Sequence, residues 1–321
     1  MELRHLPSSL PLSPPLRRLR PRFLSHILIS ASQPNSSCHH LLSAALGPLP
    51  PLTHLLSLPL RHSLVVKPAN GLLLLHFPND LYSDRPDLPA YIFNRRARDI
   101  IPLPPNAPTN QKVKILYHLG YDALGDEYKV LQIWRFIDTN LEMSESGMVF
   151  KVLSLGSGKW RRIRPRRIPF FCSSYSALFS PCCASNGGIH WVVHPKKFVL
   201  VFNLHDEEFA SIPFPQPFIQ QQSPIEMWVL KDYQNHIWVQ LKEATFQYDM
   251  SSEDDDHCSS RLPLPLGSGP RLLYYDIKRR RFRGVEIRGL SEWLSANDVA
   301  VTDCSFDAYE ENIVTLSSLI A

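Results

Sequence analysis

One short pattern recurs six times along this chain. An apolar residue precedes a small polar one, and a large apolar residue stands six positions after the polar one. The copies are Phe93-Asn94 with Ile100, Tyr121-Asp122 with Tyr128, Leu153-Ser154 with Trp160, Phe202-Asn203 with Phe209, Leu230-Lys231-Asp232 with Trp238, and Tyr275-Asp276 with Phe282. Lys231 intervenes in the fifth copy, which makes it the irregular one. Asp, Asn or Ser at a strand end accepts hydrogen bonds from nearby backbone N–H groups and so caps a turn. Each copy therefore reads as a hairpin whose second strand opens on a core-facing residue. A lone hairpin cannot bury its apolar face in water. Six similar ones can, by stacking face to face around an axis, and that arrangement is a β-propeller. The expected fold is all-β, a propeller-like array of repeated hairpins. A two-sheet sandwich is the alternative.

Composition agrees. The 321 residues include 29 Pro and only 13 Gly, and Pro both removes a backbone donor and clashes with the preceding helical turn. Long helices are thereby excluded. From about Ser63 onward the apolar runs are short and rich in Val, Ile, Tyr, Phe and Trp, a strand signature. They run from Leu64–Lys67 and Gly71–His76 to Phe282–Glu286 and Ile313–Leu316, with one helical turn expected at Ser291–Leu294. Residues 1–108 hold 18 of the Pro residues. Residues 1–62 therefore read as a Pro/Leu-rich, poorly ordered leader with at most a small helix near His40–Leu46, and residues 63–321 as the folded domain. No stretch of 18 apolar residues escapes a Pro or a charge, so no membrane partner is expected.

Net charge is +4. No acidic residue stands between Glu2 and Asp80, and the Arg- and Ser-rich start resembles a transit peptide. Its Pro residues oppose the amphipathic helix such peptides form, so the expected compartment is cytoplasm or nucleus. Six Cys occur without a C-x-x-C pair, which fits free thiols. Cys38-His39-His40 has ligand types but no second pair at zinc spacing. G-x-S-x-G, H-E-x-x-H and P-loop motifs are absent from the sequence. No catalytic, cofactor-binding or metal-binding residue is therefore nominated, and no enzyme activity or cofactor is expected. Gly156-Ser157-Gly158 reads as a tight turn, and Glu253-Asp254-Asp255-Asp256-His257 as a solvated loop. The basic runs Arg161–Arg167 and Lys278–Arg283 read as charged loops or outer strands rather than a nucleic-acid interface. Trp160, Trp191, Trp228, Trp238 and Trp293 read as packing between blades rather than a stacking surface for bases or sugars.

Several segments resemble the plant F-box-associated domain, in the family's order. Leu119-Gly-Tyr-Asp-Ala-Leu-Gly-Asp-Glu-Tyr-Lys-Val-Leu131 resembles its "GYD…YKVL" signature. Val152–Arg162 resembles "LG.G.WR", Gly188-Ile-His-Trp191 resembles "G.LYWL", and Glu226–Tyr233 with Trp238 resembles "IWVMKDY…W". Phe202-Asn203 through Ile212-Pro213, Tyr275-Asp276 and Asn312–Leu319 resemble later strands, and Lys67–Leu72 and Phe93–Pro104 earlier ones. The resemblance spans about residues 63–319, with a weaker match over 20–35. It implies a non-enzymatic module that recognises a substrate protein for a cullin-type (SCF) ubiquitin ligase. Family members hold the Skp-type adaptor through a helical F-box, and no such pattern occurs in these residues. The adaptor and cullin are thus implied by the family rather than by a motif here. An orphan member that binds targets without recruiting a ligase, or a basic nucleic-acid-binding propeller, is the alternative. Pro213–Pro224 is also shorter than the family has there, as though a "G.L.L" strand pair were missing. One incomplete blade with an exposed edge is the expected consequence.

Overall fold

The computed structural model describes residues 26–32, 38–45, 52–58, 65–76, 90–95, 97–106, 113–136, 148–165, 182–193, 198–215, 228–233, 235–240, 271–276, 281–287 and 289–305. Among them lie six antiparallel sheets, the blades of a propeller. Blade 2 consists of β4 (Val65–Ala69), β5 (Leu72–His76), β6 (Tyr91–Asn94) and β7 (Asp99–Pro102). Blade 3 consists of β8 (Val113–Asp122), β9 (Glu127–Phe136), β10 (Met148–Ser154) and β11 (Arg161–Ile163). Blade 4 consists of β12 (Cys182–Ser185), β13 (Gly188–Val193), β14 (Phe198–Asn203) and β15 (Phe209–Pro213). Blade 5 shows β16 (Trp228–Asp232) and β17 (Ile237–Gln240), and blade 6 shows β18 (Arg271–Asp276) and β19 (Arg281–Glu286). Blade 1 joins both ends of the chain. β1 (His26–Ser32), β2 (His39–Ala45) and β3 (Leu52–Leu58) pair in order, and β20 (Ala300–Ser305) pairs antiparallel with β1. A strand from the C-terminal region thus closes the ring through backbone hydrogen bonds to the first blade.

Blades 1 to 4 bury apolar faces in pairs. Leu28 and Leu41 of blade 1 meet Leu73, Leu75 and Phe93 of blade 2. Leu72, Leu74 and Ile92 of blade 2 meet Leu119, Val130 and Leu153 of blade 3. Leu131, Phe150 and Val152 of blade 3 meet Trp191, Leu200 and Phe202 of blade 4. Each such side chain, buried on both sides of its blade, contributes about 1.5–3 kcal/mol. The inner strands β4, β8 and β12 approach one another, which sets the axis. A helix, α1 (Leu290–Asn297), follows β19 and packs Leu290, Trp293 and Leu294 on Ile29, Leu42 and Leu52 of blade 1. It is the turn expected at Ser291–Leu294, extended to eight residues. No helix among the described residues is long and apolar enough to cross a membrane.

The expected leader needs correction. Three strands of blade 1 lie within residues 1–62, and the helix expected near His40–Leu46 is β2. The Pro residues there (Pro34, Pro48, Pro50, Pro51, Pro59) fall between the strands. They forbid helix, and the short apolar runs between them enter a sheet as strands buried on both faces, at residues 28–32 and 41–44. Strands β12 and β20 also go beyond the expected set. The run Ile313–Leu316 lies outside the described residues.

Candidate interaction face and the bonds that fix it

The sequence repeat is a register rule. Phe93 stands directly opposite Ile100, Tyr121 opposite Tyr128, Phe202 opposite Phe209, Leu230 opposite Trp238, and Tyr275 opposite Phe282. The irregular copy is a β-bulge: the pairing shifts between Leu230 and Asp232, which leaves Lys231 as the extra residue. Four of the polar residues cap their turns as their chemistry requires, whereas Ser154 makes no side-chain cap bond and the turn after Asp276 lies outside the described residues. Asn94 Oδ1 accepts from the Ala97 N–H at 3.3 Å, and Asp122 Oδ1 from Leu124 at 3.0 Å and Gly125 at 3.2 Å. Asn203 Oδ1 accepts from His205 at 2.8 Å and Asp206 at 3.1 Å, and Asp232 Oδ1 from Asn235 at 3.0 Å. Four residues after five of the polar residues the backbone turns left-handed, at Arg98 (φ 53°), Asp126 (53°), Gly158 (60°), Glu207 (58°) and His236 (55°). Only Gly158 of these is spared the Cβ penalty of that conformation.

Successive strands of a blade alternate in direction. In blades 2, 3 and 4 the first–second and third–fourth turns therefore share one face of the wheel. That face gathers Asn70-Gly71, Arg95 and Arg98, Ala123–Asp126, Gly156–Lys159, Asn186-Gly187 and Leu204–Glu208. Leu124, in the β8–β9 turn on that face, is 77% exposed.

A charge cluster fixes the tips of blades 3 and 4 to each other. Lys129, 4% exposed on β9, donates to Asp122 Oδ2 at 3.3 Å and to the Leu204 carbonyl at 2.8 Å. Its Nζ also lies 2.9 Å from Glu127 Oε1 and 3.4 Å from Glu207 Oε1. Glu207 in turn accepts both guanidinium nitrogens of Arg161. His205 Nδ1 lies 3.1 Å from Asp122 Oδ2. Burial pushes the Asp122 carboxyl up, but the Gly125 N–H, His205, Leu124 N–H and Lys129 outweigh it, and the group sits below the usual carboxylate range. Burial likewise lowers the Lys129 ammonium, and Glu127, Glu207 and Asp122 more than restore it, so the group ends raised. The Tyr121 hydroxyl donates to Asp126, and that bond, with burial, pushes its pKa up to about 12. Gly120 permits the approach, since a Cβ there would collide with Leu204 Cδ1.

Two tryptophans tie one blade to the next. Trp160 Nε1 donates to the Pro104 carbonyl at 2.8 Å, and Trp238 Nε1 to the Pro213 carbonyl at 2.9 Å. Tyr128 adds a third tie, donating its hydroxyl to the Asn70 carbonyl at 2.7 Å. Trp191 is wholly buried between blades 3 and 4, and Trp293 stacks on His54. The aromatic residues thus pack between elements, as the repeat implied, while Trp228 sits half-buried on β16. Gly156-Ser157-Gly158 is the tight turn expected, with Leu155–Ser157 as one 3-10 turn. Arg161 of the basic run is engaged by Glu207. Cys38 is half-buried, His39 is buried, and His40 Nδ1 meets Ser57 Oγ at 3.0 Å. The acidic run at 253–257, the side chains of Lys278–Arg283 and the Arg166-Arg167 end of the first basic run lie outside the described residues. The sequence missed the ties at Lys129 and Asn70. Only the "YK" after the 121–128 hairpin signals the first, as a Lys placed where a buried strand residue belongs.

Comparison with known proteins gives a consistent answer. The sequence model of the F-box associated beta propeller domain matches residues 25–309. "F-box protein At4g19940" of Arabidopsis thaliana is 23% identical over 62% of this chain and 58% of its own length. "F-box protein CPR1" of Arabidopsis thaliana is 28% identical over 51% of this chain and 48% of its own. The chain thus spans about half the length of the curated relatives it matches.

Proposed function

Since the chain belongs to the family of F-box associated beta propeller domains, we propose that it is a non-enzymatic module that recognises a target protein for an SCF-type ubiquitin ligase. The match across nearly the whole chain carries this reading, and the gathering of capped hairpin tips on one face supports it. Rigid tips on a closed wheel lose little entropy on binding, which favours recognition. The mechanism is proximity: a target held beside the ligase presents its lysines at a high effective concentration. Catalysis by the module itself plays no part, and the site of action is the cytoplasm or nucleus.

Affinity capture with a purified Skp-type adaptor tests ligase membership. Retention of the chain with adaptor and cullin supports the ligase reading, through a contact other than the helical F-box, whose pattern these residues lack. A chain that binds targets but never retains the adaptor would be an orphan member, and the ligase reading would fail.

A further inference from the structure

Cys38-His39-His40 offers metal-ligand types but no second pair at zinc spacing along the chain. The fold supplies a partner from the next strand. His40 on β2 stands directly opposite Ser57 on β3, and Leu42 opposite His54. Leu41 pairs with Leu56, so Leu55 is the extra residue of a β-bulge. Residues three apart in a regular strand point to opposite faces. The bulge resets that alternation and sets His54 and Ser57 on one face, the face of His40 and Leu42. α1 packs on this face through Leu290, Trp293 and Leu294.

The two imidazoles aim a nitrogen each at one point. His40 Nδ1 lies 3.0 Å from Ser57 Oγ, and His54 Nε2 lies 2.9 Å from the same atom. The ring centres are 5.7 Å apart. Zinc takes imidazole nitrogens at about 2.0–2.1 Å in a tetrahedral arrangement, which puts two such ring centres about 5.2 Å apart. A closure of about half an ångström therefore suffices here. Trp293 holds both rings in place: it meets His40 edge-on at 5.3 Å and stacks on His54 at 5.8 Å, with 21° between the planes. Outer contacts of this kind orient metal-binding imidazoles. Burial first, and His40 second, hold the His54 imidazole below its usual range, so near neutral pH it is uncharged and has a lone pair to give. His54 and Ser57 are exposed and His40 is half-buried, which leaves an ion a way in.

We propose that His40 Nδ1 and His54 Nε2 bind one divalent transition-metal ion, zinc or copper(II), with water completing the coordination and Ser57 Oγ hydrogen-bonded to a bound water. Imidazole suits these two ions, whereas magnesium and calcium take oxygen ligands, so the site discriminates against the latter. The bound ion pins β2 to β3 beside Trp293, in the blade whose β1 receives β20. Its role is structural. The folded chain holds the two rings together and the unfolded chain does not, so the ion stabilises the fold by mass action. The site rests on the pairing of β2 with β3, and it holds whether or not the chain joins a ligase.

The test is isothermal titration of the full chain, free of any histidine tag, with ZnCl2, CuCl2 and MgCl2 near pH 7.5, above the usual imidazole range. Zinc and copper are expected to bind saturably, copper the tighter of the two, and magnesium not to bind. His40→Gln and His54→Gln are each expected to weaken zinc at least about ten-fold. His236→Asn, at an exposed turn of blade 5, is expected to leave zinc binding as it was. Zinc is expected to raise the urea midpoint of the parent chain and not that of His54→Gln. The electron paramagnetic resonance spectrum of one equivalent of copper on the parent chain is expected to show coupling to two nitrogens. That spectrum needs no variant, so it decides the matter even where a substitution harms folding. Zinc binding indifferent to both His40→Gln and His54→Gln, a copper spectrum without two nitrogens, or magnesium binding as tightly as zinc would overturn the proposal.

Discussion

At the residue scale, the hairpin tips combine helpful and costly choices. A non-Gly residue in the left-handed region costs about 1 kcal/mol or more. Arg98 is exposed and bears that cost. Arg98→Gly is expected to stabilise the protein by up to about 1 kcal/mol in urea titration. Gly158→Ala, whose Cβ would meet open space, is expected to lose a similar amount through φ alone. Asp122 does two jobs, capping its turn and neutralising Lys129. Asp122→Ala abolishes both, although Glu127 and Glu207 still face the ammonium, with an expected loss of about 1–3 kcal/mol. Asp122→Asn keeps the Oδ1 acceptor for Leu124 and Gly125 and is expected to cost less. Equal losses for the two variants would show that the turn cap contributes nothing. The cap was legible in the sequence, because Asp at that position has one obvious use. The ion cluster was not, because Glu207 and Arg161 are distant in sequence and only the stacking of blades 3 and 4 brings them to Lys129.

At the scale of elements, the blade-to-blade ties have separable strengths. Trp160→Phe keeps the ring's bulk and removes the bond to Pro104, so a loss of about 1 kcal/mol is expected. Between blades 2 and 3 lies a second tie of a different kind. His76 of β5 and His118 of β8 are buried, and Lys67 Nζ stands 2.9 Å from His118 Nδ1. Burial first, and the Lys67 charge second, hold both imidazoles well below their usual range. The unfolded chain takes up protons near pH 6.5 while the folded one resists. The stability these neutral rings allow is therefore complete above about pH 6.5 and falls as pH drops below it, by about 1.4 kcal/mol per pH unit for each ring. Urea midpoints between pH 7.5 and 5 should show that slope, and His76→Leu should remove about half of it. A midpoint flat across that range would contradict the burial of both rings. Neither histidine stood out in the sequence, because a His in an apolar run has no pattern until two strands of different blades meet.

At the scale of the molecule, closure by β20 is the decisive join. Its backbone pairs with β1 from Leu28 to Ser32, across almost the whole chain length. Removal of residues 300–321 leaves β1 as a bare edge and opens blade 1. Such a truncated chain is expected to lose cooperative unfolding, with a smaller urea m-value because less surface is buried. An unchanged m-value would mean that the ring stays shut by packing alone.

The amino-acid sequence by itself determined the hairpin unit and its register, but not how the units share out: two of the six copies fall in blade 3 and none in blade 1. A capped turn with a packing residue six positions on is a local arrangement, set by side chains that lie close together along the chain. Even the bulge at Lys231 was written there as one extra residue. Tertiary structure alone decided which strands join blade 1, since Pro-rich spacing between His26 and Leu58 suits a loose leader and a set of hairpin turns equally well. It also decided which charges meet. Those outcomes depend on contacts between blades, and contacts between distant segments leave no periodic trace in either partner.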